Sequence, residues 1–141
     1  MPLDDKRRTG FLIGLFLFAH IFIVSGFLHF FFPEPYVRII PPFLPWPGAL
    51  AQISGGVEIL GVGVGLLLQR FRRSAAYGLA LLLVAVFPAN IYMAVAHVRF
   101  PGVMGESWIQ WLRLPLQISL IVWALYYARS PRARESEVHL G

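Results

Sequence analysis

Four apolar runs of about twenty residues each, separated by short stretches rich in proline or arginine, decide what solvent this chain can fold in. At a rise of ~1.5 Å per residue, about twenty residues cross the ~30 Å hydrocarbon layer of a bilayer. Composition agrees, with 57% hydrophobic and only 13% charged residues, against roughly 25% charged in soluble domains. The 141 residues suffice for one domain, so we expect a single all-α transmembrane unit over residues 1–141.

The runs predict spans at about 11–32, 48–68, 75–96 and 108–128, with a polar tail over 129–141. The first run is longer than a signal-peptide core and is followed by no small-x-small site, so it is expected to remain as a span. Prolines at 33, 35, 41, 42, 45 and 47 predict a non-helical connection, because each lacks a donor and disfavours helix in the residue before it. The short basic turn at Arg70, Arg72 and Arg73 predicts an antiparallel hairpin of the second and third spans. Ser107 followed by Gln110 has the spacing of a capping box at the start of the fourth.

An N-terminus inside places Lys6, Arg7, Arg8, Arg70, Arg72, Arg73, Arg129, Arg132 and Arg134 on the cytoplasmic side and Arg38, Arg99 and Arg113 outside. Nine against three predicts a four-helix antiparallel bundle with both termini cytoplasmic. Trp46, Trp108 and Trp111 would then lie near the outer interface, and Tyr126 and Tyr127 near the inner one. The many phenylalanines of the first span read as lipid-facing bulk.

Polar residues inside such spans are costly, so those present carry information. Glu58 falls near the bilayer midplane, on a helix face with Ser54, Gly55, Gly61 and Gly65, where a small-xxx-small step admits a neighbouring helix. Ser25 with His29, Asn90 with His97, and Arg113 with Gln117 each share a face of their own spans. Pro88 and Pro115 should free the carbonyls of Val84 and Trp111. Together these predict a polar pocket opening on the outer half, made by His29, Glu58, Asn90, Arg113 and Gln117. The plainer alternatives are a structural Glu58–Arg113 ion pair, a capping His29 and an Asn90 that only bonds a neighbouring helix. His20 has no partner visible in the sequence, and His97 and His139 are expected to meet water.

Other chemistries lack their residues. Without cysteine there is no disulfide, thiolate or iron–sulfur site. The four histidines lack metal-ligand spacing. No phosphate loop and no Ser-His-Asp set is legible, so turnover by this chain alone is not expected. The basic residues sit between apolar runs rather than on a wet stripe, which argues against nucleic acid as a partner.

The chain resembles the DoxX family of small four-helix bacterial membrane proteins through HFFFPEPYVRIIPPFLPWP after the first run, SGGVEILGVGVGLLL in the second, FPANIYMAVAH in the third and WLRLPLQISLIVWA in the fourth. The resemblance implies a bacterial inner-membrane location. It also places the family's polar positions on His29, Glu58, Asn90, Arg113 and Gln117. Through relatives associated with thiosulfate:quinone oxidoreductase it implies a link to redox chemistry, in which a quinone or a protein partner carries the electrons. Three functions are therefore expected in order: binding of an apolar or quinone-like molecule in support of a redox partner; proton-coupled transport through Glu58, for which one acid per chain suggests a homodimer; and assembly of other membrane proteins without turnover.

Overall fold

The computed structural model describes residues 2–99, 102 and 106–130, with side chains from Asp5 onward. Most of the expected tail, including Arg132, Arg134 and His139, lies outside the described residues. The described chain is dominated by four long helices: Pro2–Phe31, Pro47–Leu67, Arg72–Val95 and Ser107–Arg129. All four are long and apolar enough to cross a membrane, compatible with a multi-pass membrane protein. Their flanks are correspondingly greasy. Ile13, Ile21, Leu60, Leu81 and Val122 are all more than half exposed, a surface suited to acyl chains and unsuited to water.

Helix boundaries depart from expectation in instructive ways. The first helix begins at Pro2 rather than near Phe11, because Asp, Lys and Arg do not stop a helix and leave water-compatible turns ahead of the apolar run. Residues Pro33–Arg38 form a short helix within the proline-rich connection, correcting the expectation that none could. Its prolines occupy the first turn, where the missing N–H groups would have had no helical acceptor. The third long helix starts at Arg72, after one 3-10 turn at Gln69–Phe71. The Ser107–Gln110 capping box does not form: Glu106 is the cap residue and makes no side-chain bond. Gln110 instead donates to the carbonyl of Val98, tying the preceding connection to the fourth helix.

Within the second helix, Val57–Val64 is a π-helix. When backbone bonds run to i+5, residues four to five apart share a face. Val62 and Gly63 therefore turn inward with Glu58, while Gly61 is exposed with only Val57 near its Cβ position. The close approach to the first helix uses other glycines than the Gly61 step. A Cβ on Gly26 would lie 2.6 Å from the Gly55 carbonyl oxygen, and one on Gly55 would lie 2.6 Å from His29 Cβ. Gly63 meets Ile23 in the same way, and Gly65 meets Ala75 of the third helix.

The core is concentrated at the end where Phe11 meets Tyr126 and Tyr127. Phe18 packs on Phe22, Trp123 and Tyr127, and Leu66, Ala76, Leu79 and Ala128 belong to the same cluster. Phe11, Phe18 and Phe22 are thus core residues, whereas Phe16, Phe27, Phe30, Phe31 and Phe32 are exposed and fit the lipid-facing expectation. Tyr126 is exposed as an interfacial residue should be, whereas Tyr127 is 2% exposed and donates to the Phe11 carbonyl. Trp46, Trp108 and Trp111 are exposed.

Arg72 is buried, and its Nε donates to the Leu66 carbonyl at 3.0 Å, satisfying one of the last acceptors of the second helix. Arg72→Ala is expected to lower stability by about 1–2 kcal/mol. Arg70→Ala, whose guanidinium only overlies Phe71, should cost less. Melting midpoints of the two purified variants compare them.

Candidate functional site

Away from the aromatic core, a cavity of about 1100 Å³ separates the first and second helices from the third and fourth. Its walls are mostly aliphatic and it opens on the flank, since Leu17, Ile21 and Val24 line it while remaining over half exposed. The connection after the first helix covers one end with Tyr36, Ile40 and Phe43. Such a volume is at the upper end of small-molecule sites.

The polar wall is built by the Gly26–Gly55 contact, which brings the first and second helices close enough for His29 and Glu58 to meet. Both are 7% exposed. His29 Nδ1 lies 2.9 Å from the Ser25 carbonyl, and a carbonyl only accepts, so Nδ1 carries the hydrogen. Nε2 faces Glu58 Oε1 at 3.9 Å, within ion-pair distance but beyond hydrogen-bond reach. The Ser25 hydroxyl lies alongside the carboxyl. Glu58 Oε2 is buried without a hydrogen-bond partner. Glu58 makes this pair with His29 and none with Arg113, so the structural Glu58–Arg113 ion pair is not present.

On the opposite side, Asn90 and Arg113 line the cavity. Arg113 Nη1 reaches Met93 Sδ at 3.8 Å. Asn90 donates to Gln117 Oε1, and Gln117 donates to the Leu83 carbonyl at 2.6 Å. That acceptor is the neighbour of the Val84 carbonyl expected to be freed by Pro88. Gln117 is 3% exposed and does not line the cavity, so it positions Asn90 from behind the wall. Four of the five expected residues therefore line one cavity, with the fifth supporting it. His97 does not share Asn90's face, because the third helix ends at Val95 and His97 takes a left-handed φ of 51° beyond it, exposed. His20 bonds the Phe16 carbonyl and edges the cavity from an exposed position.

Tyr36, which sequence reasoning did not single out, stacks on His29 with ring centroids 3.6 Å apart. Burial raises its phenol pKa above the ordinary range, reinforced by the nearby Glu58 charge and opposed by Arg113. The phenol consequently stays protonated at neutral pH and can donate as well as accept. Among the described residues no cluster of three or more His, Asp or Glu could hold a metal ion.

Residues 18–128 match the family described as Domain of unknown function (DUF8561). The chain belongs to this family. The matched stretch begins inside the first helix and ends at the close of the fourth, so it takes in all five polar residues and Tyr36. No curated protein and no solved structure matches the chain.

Proposed function

We propose that the chain is a bacterial inner-membrane protein, an antiparallel four-helix bundle with both termini cytoplasmic, whose cavity takes a small apolar or quinone-like molecule and so serves a redox partner. Orientation rests on the nine-to-three distribution of Lys and Arg. The DoxX likeness points the same way. The observation that carries the binding reading is the flank-opening cavity of about 1100 Å³ with His29, Glu58, Asn90 and Arg113 in its wall. Aliphatic walls admit an apolar body, and a few convergent polar groups fix its orientation. Because the opening lies between exposed aliphatic faces, the route of entry is the bilayer. Native mass spectrometry of gently solubilised protein from quinone-containing membranes should reveal a bound lipid-soluble small molecule. Recovery with ordinary phospholipid alone would refute the reading.

The buried Glu58 carboxyl facing His29 Nε2 favours one alternative, proton-coupled transport. That reading requires substrate-driven proton flux in proteoliposomes, lost in Glu58→Gln. An assembly factor, the third reading, would have a membrane-protein partner co-purify and would lose only stability in the same variant.

A further inference from the structure

A second, shallower groove of about 480 Å³ follows the seam between the second and third long helices, and apart from Val57 it shares no lining residue with the large cavity. Its walls include Leu60, Val64, Leu68 and Phe71, and two exposed glycines, Gly61 and Gly78, keep it open. Packing within the chain requires neither glycine. A Cβ on Gly61 would meet only Val57, at 3.6 Å, and one on Gly78 nothing within 4 Å, although glycine weakens a helix relative to alanine. From Val57 to Leu68 the groove is about 15 Å long at a rise of ~1.5 Å per residue, half of the ~30 Å hydrocarbon layer. That is the depth of one leaflet, and the groove ends at the basic turn.

Phe71 lines the groove at this turn, and the Arg70 guanidinium lies 5.7 Å from the centroid of its ring. Arg73, 6.0 Å over Tyr77, precedes Ser74, which is exposed and lines the same end. Arg72 is turned inward to the Leu66 carbonyl. The sequence holds no acid between Glu58 and Glu106, so neither helix of the seam supplies a counter-charge at the turn.

We propose that this groove holds an acyl chain of an anionic phospholipid, with the lipid phosphate against Arg70 and Arg73. The apolar walls contact the chain, and the planar guanidinium fork suits phosphate oxygens. A zwitterionic head would bring an ammonium toward the same two cations, a repulsion that a net-anionic head avoids. The groove's occupant does not depend on what the large cavity holds.

The test titrates the delipidated full chain in detergent micelles with dioleoyl phosphatidylglycerol or dioleoyl phosphatidylcholine, reading bound lipid by native mass spectrometry. The first phosphatidylglycerol should bind about tenfold tighter than the first phosphatidylcholine, the scale of two basic residues beside an anionic head. Arg70→Gln combined with Arg73→Gln should remove that preference, whereas Arg38→Gln, whose charge pairs with Glu34, should keep it. Gly78→Leu should abolish the tight phosphatidylglycerol step by filling the groove, and Gly61→Leu repeats the test from the facing helix. Equal affinity for the two lipids would overturn the proposal, as would a tight step unchanged in both leucine variants. A preference that survives loss of Arg70 and Arg73 but not of Lys6, Arg7 and Arg8 would move the head to the first helix and overturn it too. A dimer of the chain that Gly78→Leu dissociates would overturn it in favour of a second copy as the occupant.

Discussion

Gly26→Leu should drive the first and second long helices apart and dismantle the polar wall, at a cost of about 3 kcal/mol or more. The expectation follows from what a side chain there would strike. A Cβ alone would lie 2.6 Å from the Gly55 carbonyl oxygen, 2.6 Å from Ile59 Cγ1 and 3.2 Å from Glu58 Cβ. Backbone cannot step aside as the tip of a flexible side chain can, so the helices themselves must move. In a bilayer this matters more than in water, because no hydrophobic drive pulls two apolar helices together and close van der Waals contact supplies much of their affinity. Gly78→Leu is the matched control, since nothing lies within 4 Å of its Cβ position. Thermal midpoints of the two variants in one detergent decide the matter, and equal midpoints would refute the glycine contact.

Gln117→Leu should be the most damaging polar-to-apolar change on the fourth helix, at about 2 kcal/mol. An interhelical hydrogen bond in a membrane averages only ~0.6 kcal/mol, because the separated helices find other partners. Gln117 differs in making two bonds to the third helix at once, accepting from Asn90 and donating to the Leu83 carbonyl. Loss of the side chain removes the acceptor of the Asn90 amide and the second donor to the Leu83 carbonyl, beside a helix already short of one backbone bond at Pro88. A cycle with Asn90→Leu should show coupling above about 0.5 kcal/mol. Strict additivity would mean that the two amides act independently.

The spans were legible because each consists of an uninterrupted apolar run, and membrane helices satisfy their backbone bonds internally whatever their neighbours do. The pocket was legible for a related reason: Glu58, Asn90 and Arg113 are too expensive to leave facing lipid. What escaped was geometry within the helices. Apolar content does not distinguish i+4 from i+5 bonding, so the π stretch at Val57–Val64 went unread, and with it the exchange of Gly61 for Gly63 at the contact. Tyr36 escaped because an aromatic in a proline-rich connection reads as interfacial. The Glu58–His29 pairing was missed because wheel positions give depth and face but not which neighbour turns toward which. Gln117 was assigned to the wall on the same grounds, and its depth behind Asn90 is set by the third and fourth helices packing together.

The aromatic cluster of Phe11, Phe18, Trp123 and Tyr127 and the apolar rim of Leu17, Ile53 and Phe43 are built from different residues. Under the binding role proposed above, cohesion and selectivity therefore draw on different residues. Substituting rim residues can widen, narrow or reshape what is admitted without loosening the end that holds the helices together, which leaves such a scaffold free to diversify its guests while its melting behaviour hardly changes.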